Sequence, residues 1–154
     1  MKNERGLTLI ELMIVVAILG ILAGLASIAY GRYVASAKIE KLKSMALEVQ
    51  SGQERFRSRN NVYWNGGLYS AATKPDYVNL IDFSTTVPTD VTVNTQAWTG
   101  SSGTCSICTG APFDDTIAGY AVVVTRDLDT NSPELTTVIL TNATESPILL
   151  NEGE

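Results

Sequence analysis

The chain has 154 residues, a formal net charge of −5 at pH 7 and no histidine. This length favours one small domain plus an anchor, and the lack of histidine excludes His-based catalysis and His-ligated metal sites. Residues 1–60 carry nine Lys or Arg against five Asp or Glu, whereas residues 61–154 carry two against eleven. The acidic second part argues against direct binding of nucleic acid.

An apolar run near the start is long enough to cross a membrane. Between Leu12 and Ala29 the only polar side chain is Ser27. As a helix this run spans about 27 Å, close to the thickness of a bilayer's hydrocarbon core. Glu11 lies at the start of the run, and a carboxylate costs about 2–3 kcal/mol at the bilayer centre. We therefore expect Glu11 to have a partner and a function.

Two ordinary explanations compete for this start. A secretory signal peptide also has a basic start and an apolar core, and residues 35–37 (Ala-Ser-Ala) offer a cleavage site. A single-pass anchor accounts for Lys2 and Arg5 on the cytoplasmic side. Neither explanation gives a reason for Glu11.

The continuous sequence from Gly6 to Ala23 resembles the start of a type IV prepilin. That family has a short basic leader, a Gly, an N-methylated first residue and a Glu four positions later. The resemblance implies that a membrane aspartyl protease, the prepilin peptidase, cleaves between Gly6 and Leu7 and methylates the new amine of Leu7. It also implies a leader over residues 1–6, a membrane-spanning assembly helix over 7–30 and a head over 31–154.

The apolar spacing predicts that the helix continues well beyond the membrane. One helical stripe is formed by residues spaced three, four, three and seven apart: Ile39, Leu42, Ala46, Val49 and Phe56. We expect one helix from about Leu7 to about Ser58. Its first half is predicted to span the membrane, and its amphipathic second half to pack on the head.

The rest of the chain predicts a small sheet. Residues 62–118 are rich in turn formers, with turns expected at 66–67, 74–76 and 87–90 and a short edge strand over Asp90–Asn94. The β-branched segments Gly119–Thr125 and Thr136–Thr141 predict an antiparallel hairpin, and Ile148–Leu150 a third strand. The expected fold class is α+β, with a long N-terminal helix packed on a small antiparallel sheet. The pilin resemblance implies the same arrangement.

The resemblance assigns filament assembly to Glu11 and to the amine of Leu7. It implies that Glu11 of an incoming subunit meets the methylated amine of a neighbour. In a low dielectric, opposite charges attract strongly and an unpaired charge is penalised, so this pairing fixes the stagger of neighbouring helices. Thr8 is expected to form hydrogen bonds within the same cluster.

Small residues supply a second predicted assembly feature. Four of them, spaced three, four and three apart, lie on one helix face: Ala17, Gly20, Gly24 and Ser27. Small side chains let apolar helices approach closely, although Gly and Ala are also common in membrane helices by chance. The chain departs from many family members at Ile28, where they have Pro, and at Leu7, where they have Phe.

The pair Cys105 and Cys108 has three interpretations. A structural disulfide fits a head outside the cytoplasm and would contribute about 2 kcal/mol or less. A redox centre has the same spacing but needs a helix that begins at the first Cys. A zinc site needs four ligands, and two Cys without His do not supply them. We favour the disulfide.

The segment after the first hairpin strand resembles part of a calcium loop. Asp127, Asp129 and Asn131 alternate like its first oxygen ligands, but Ser132 and Val138 stand where a Gly and a Glu are required. A polar hairpin tip is the interpretation we favour over a metal site.

The sequence predicts a structural subunit rather than an enzyme, without a cofactor. The resemblance implies a homopolymer in an extracellular pilus for adhesion, twitching motility or DNA uptake, assembled from the inner membrane. Implied partners are the prepilin peptidase, an inner-membrane platform protein and an assembly ATPase. A pseudopilin of a type II secretion system or a minor pilin is the alternative. A membrane-tethered envelope protein with a redox or metal-binding head is the alternative from another class.

N-terminal sequencing of the native protein separates these interpretations. The prepilin interpretation predicts that the chain begins at methylated Leu7. An uncleaved anchor would begin at Met1, and cleavage by signal peptidase would leave Lys38 first. Either of the last two results would contradict the prepilin interpretation.

Overall fold

The computed structural model describes residues 8–70, 72–100, 104–108, 110–126, 136–144 and 146–150, apart from the side chains of residues 27–29. Within these residues the elements follow in chain order: α1 (Leu9–Asn60), β1 (Gly67–Leu68), α2 (Lys74–Ile81), β2 (Val91–Thr99), β3 (Ala118–Arg126), β4 (Thr136–Thr141) and β5 (Ile148–Leu150). The calcium hypothesis on Asp127, Asp129 and Asn131 falls outside the described residues.

The chain divides into two compact units, Met1–Ala37 and Lys38–Glu154. In the first unit, every described side chain from residue 8 to residue 26 is exposed. Among the described residues, α1 is the helix that is long and apolar enough to cross a membrane. The resemblance leads one to expect Pro at position 28. Here the residue is Ile28, and the backbone of α1 is helical through it without a break.

In the second unit, α1 packs on the sheet along the predicted stripe. Leu42, Ala46 and Val49 are fully buried, and Phe56 packs against the same core. The sheet contributes inward-facing side chains to this core: Val91, Val93, Tyr120, Val122, Val124, Val138 and Leu140. The predicted α+β architecture is confirmed, since a helix stripe and one sheet face bury each other.

The five strands form one antiparallel sheet in the order β1-β2-β3-β4-β5. The pairing of β3 with β4 confirms the predicted hairpin, and β5 confirms the third strand. The expectation of a short edge strand over Asp90–Asn94 is wrong. The strand continues to Thr99 and lies between β1 and β3, because Ala97 pairs with Tyr120 and Trp98 with Gly119.

The turn expected at residues 74–76 is also wrong, because Lys74 begins α2. Pro75 lies in the first turn of this helix, where a missing N–H costs no intrahelical hydrogen bond. α2 buries Tyr77 and Ile81 against the core, and burial raises the pKa of Tyr77 to about 12. The helix ends at Ile81, and its C-cap residue Asp82 has a left-handed backbone conformation.

Two polar side chains of α1 fasten the loops that follow it. The amide of the fully buried Gln53 donates to the carbonyl of Trp64 at 2.8 Å and accepts from the N–H of Trp64 at 2.9 Å. The carboxylate of Glu48 accepts hydrogen bonds from the backbone and hydroxyl groups of Ser84 and Thr85. Partial burial raises the pKa of Glu48, but these hydrogen bonds together outweigh burial and hold the pKa below its ordinary value.

At Gly52 the backbone of α1 lies close to Ile81 of α2. An added Cβ would lie 2.7 Å from the Cβ of Ile81 and would overlap the Ile81 carbonyl oxygen. We expect Gly52→Ala to lower the free energy of unfolding by roughly 1–2 kcal/mol, since overpacking outweighs the gain in helix propensity. Urea unfolding of the detergent-solubilised chain measures this difference.

Gly31→Ala is the matched control, because an added Cβ at Gly31 meets nothing within 4 Å. It should leave the unfolding midpoint unchanged or raise it slightly. Equal stability of Gly52→Ala and wild type would contradict the packing described here.

Candidate functional site

The start of α1 is a capping box formed by Thr8 and Glu11. The Thr8 backbone N–H donates to Oε2 of Glu11 at 3.0 Å, and the Thr8 hydroxyl donates to the same oxygen at 2.9 Å. The Glu11 N–H donates to the Thr8 hydroxyl oxygen at 3.3 Å. This reciprocal arrangement satisfies donors that the first turn of a helix leaves open.

The capping box gives Glu11 a structural role that the sequence analysis missed. The signal is present in the sequence, because Thr followed three residues later by Glu is a helix-start pattern. The box does not neutralise the carboxylate, and no basic side chain forms an ion pair with Glu11 within the described residues. Gly6 and Leu7, the predicted cleavage site, lie outside those residues.

The small residues predicted for assembly lie on the exposed apolar half of α1. Ala17, Gly20 and Gly24 are all exposed. A Cβ added at Gly20 or Gly24 would meet nothing within 4 Å. Each glycine costs roughly 1 kcal/mol relative to alanine in a helix interior. The packing of the described residues around these positions gives no reason for a glycine.

The cysteine pair closes a small loop on the face of the sheet opposite α1. Cys105 and Cys108 form a disulfide with a Cα–Cα distance of 5.4 Å, which confirms the predicted pairing. Cys108 packs with Trp98 and Ala121, together with the partly buried side chains of Cys105, Ile107 and Phe113. The described loop residues around Cys105 are not helical, so the helix start that lowers a redox cysteine's pKa is missing from them.

Gln96 of β2 holds this loop against the sheet. Its amide donates to the Thr104 carbonyl at 2.7 Å and accepts from the N–H and hydroxyl of Ser106, both at 2.9 Å. Among the residues that the structure describes, no group of three or more Cys, Asp or Glu is arranged to hold a metal ion. The hydrogen bonds of Gln96 attach the loop to β2.

Comparison with known proteins bears out the resemblance in the first residues. Residues 1–27 match the prokaryotic N-terminal methylation motif. The chain is 38% identical over 66 residues to a fimbrial protein of Moraxella nonliquefaciens, which covers 43% of each chain. It is 36% identical over 100 residues to the fimbrial protein EcpC of Eikenella corrodens, which covers 63% of this chain and 65% of that relative.

The similarity to the fimbrial proteins extends beyond the motif, because both matches are longer than 27 residues. The matched regions span less than two thirds of the length of either relative. No solved structure was found to match the chain.

The disulfide is predicted to stabilise the loop rather than to exchange electrons. Replacing both cysteines with Ser should lower the free energy of unfolding by about 2 kcal/mol or less, because the closed ring is short. Urea unfolding of the double variant measures this loss. Intact mass with and without reductant checks the wild type, and two free thiols in protein from the cell envelope would contradict the assignment.

Proposed function

We propose that this protein is the subunit of a type IV pilus. The observation that carries the proposal is the methylation motif over residues 1–27, which is continuous with an exposed apolar helix in a chain similar to fimbrial proteins. The proposed subunit has a leader over residues 1–6, a span over 7–30 and a head over 31–154. It is a structural protein and not an enzyme.

The exposed half of α1 supports polymerisation through the helix. Leaving one large apolar side chain in water costs about 1.5–3 kcal/mol relative to burial. The first unit exposes many of them, among them Leu9, Ile10, Leu12, Met13, Ile14, Ile18, Leu19, Ile21, Leu22 and Leu25. In this proposal lipid covers these side chains before assembly, and helices of other copies cover them in the filament.

Glu11 supplies the charge that fixes the register between copies. Both Thr8 hydrogen bonds end on Oε2, and Oε1 accepts none from the described residues. The carboxylate is thus held in place at the helix start while one oxygen remains for another partner. We assign that partner to the methylated amine of Leu7 in a neighbouring subunit, where a low dielectric strengthens the attraction.

The processing and assembly partners follow from the same proposal. The prepilin peptidase cleaves between Gly6 and Leu7 while the subunit lies in the inner membrane. An inner-membrane platform protein and an assembly ATPase then drive its transfer into a surface filament. Adhesion, twitching motility or DNA uptake is the proposed use of the filament. A pseudopilin or minor pilin would instead remain in short periplasmic assemblies.

Glu11→Gln separates the charge of this residue from its capping role. Gln also serves in a capping box, so helix start and membrane insertion are retained while the charge is lost. A loss of ~1.4 kcal/mol per contact lowers an association constant about tenfold. We therefore expect the number of surface filaments to fall by at least this factor of about ten. Electron microscopy of the cell surface and immunoblots of membrane fractions measure the two effects.

Thr8→Val is the matched control, since it removes the capping hydroxyl and keeps the carboxylate. It should retain filaments at a level well above Glu11→Gln. Wild-type filament numbers from Glu11→Gln would refute the role of the charge. Filaments that are absent from the wild-type surface and confined to the periplasm would favour the pseudopilin alternative.

A further inference from the structure

Two tyrosines and an arginine lie at the C-terminal end of the exposed apolar half of α1. Tyr30 is 69% exposed and Tyr33 is 73% exposed, and Arg32 between them is also exposed. All three lie in the unit that ends at Ala37. Arg32 forms no ion pair with any described residue.

The surroundings of these two tyrosines differ from those of the other four. Every tyrosine of the second unit, Lys38–Glu154, packs against another aromatic ring: Tyr63, Tyr69, Tyr77 and Tyr120. Neither Tyr30 nor Tyr33 has a ring contact within the described residues. The described part of the protomer therefore gives no packing reason for two large aromatic side chains at these positions.

The spacing along α1 matches a bilayer. Ile10 and Tyr30 are twenty residues apart, which corresponds to about 30 Å of helix and to the hydrocarbon thickness of a typical membrane. Everything between them is apolar or small except Glu11 and Ser27. When Tyr30 lies at one boundary of the hydrocarbon layer, Glu11 lies at the other.

The chemistry of the three side chains fits the headgroup layer. Tyrosine places its ring among acyl chains and its hydroxyl among headgroups, and is enriched at membrane–water boundaries for this reason. Arginine next to the boundary extends its guanidinium toward lipid phosphates. Glycine at position 31 adds no side chain that would compete for this space.

We propose that Tyr30, Arg32 and Tyr33 form an interfacial collar that seats α1 in the outer headgroup layer and thereby holds Glu11 at the inner boundary. This inference rests on the proposed function only for residence of the subunit in a bilayer. A carboxylate costs less at the boundary than at the centre. The collar thus keeps Glu11 charged and within reach of an incoming amine at the same depth.

Depth-dependent fluorescence quenching tests the collar in the full chain. Single Trp substitutions at Ile10, Leu19 and Tyr30 are reconstituted in phosphatidylcholine–phosphatidylglycerol vesicles at low protein-to-lipid ratio. The lipids carry bromine either near the headgroup or deep in the acyl chain. Wild type, with Trp64 and Trp98 in the head, supplies the background.

We expect Ile10→Trp and Tyr30→Trp to be quenched more by shallow bromine, and Leu19→Trp more by deep bromine. Shallow quenching at all three positions would place the helix on the surface and would overturn the proposal. Quenching of Tyr30→Trp at background level would overturn it as well. If Tyr30→Trp is quenched only at background level and becomes quenched by shallow bromine after further dilution in lipid, a second copy of the chain covers this position instead of lipid.

A second comparison tests whether the collar sets the depth of the inner end. In a Tyr30→Ala/Tyr33→Ala background, Ile10→Trp should lose its preference for shallow bromine. A Leu22→Ala/Leu25→Ala background, which removes apolar surface inside the span, should retain that preference. An unchanged preference without the tyrosines would refute depth control. Filament formation enters neither measurement, so failure here and failure of the pilus proposal are distinguishable.

Discussion

The structure depends on one helix whose two halves have different surroundings. From Leu42 onward the apolar stripe of α1 is buried by the sheet of its own chain. From residue 8 to residue 26 every described side chain is exposed, although nearly all are apolar. Because apolar surface is driven out of water roughly in proportion to its area, this half requires a cover from outside the described protomer. In the proposed function, lipid covers this apolar surface before assembly, and further copies of the chain cover it in the filament.

The position of Glu11 reconciles two requirements at the start of that half. The carboxylate accepts both Thr8 hydrogen bonds on one oxygen, which orders the first turn of the helix. Its negative charge also complements the positive end of the helix dipole. These interactions stabilise the carboxylate without cancelling its charge. A residue of this kind can remain in a membrane boundary before assembly and still form a specific ion pair afterwards.

Much of the fold was predictable because its elements have strong local patterns. The helix was expected from about Leu7 to about Ser58 and runs from Leu9 to Asn60, and the β3–β4 hairpin follows from β-branched runs. The region between α1 and the β3–β4 hairpin is harder to predict. The sequence predicts a turn at Pro75, which instead lies in the first turn of α2, and the strand predicted over Asp90–Asn94 is only the first part of β2, which continues through Thr99. Tertiary pairing with β3, which no local pattern specifies, decides the length of β2.

The resemblance predicts which residues form the candidate site, but not the geometry of the part that the structure describes. The resemblance over Gly6–Ala23 predicts an assembly role for Glu11 and a cleavage site after Gly6, whereas the capping box with Thr8 follows from the Thr-x-x-Glu pattern of helix starts. The cysteine spacing allowed three interpretations, and the contacts of Cys108 with Trp98 favour a structural role. The interfacial role proposed for Tyr30 and Tyr33 depends on the exposure of their side chains, which the sequence alone does not show.

Carbodiimide coupling of purified filaments tests the central claim most directly, because it joins a carboxylate and an amine only when they are in contact. We predict a ladder of covalent oligomers whose cross-linked peptide joins the methylated amine of Leu7 to Glu11 of another subunit, and loss of that ladder in detergent-dispersed subunits. The pair Lys43–Glu40, 2.8 Å apart within one chain, should couple in both samples and serves as the internal control. Coupling of that pair in filaments without any link between Leu7 and Glu11 would contradict the account.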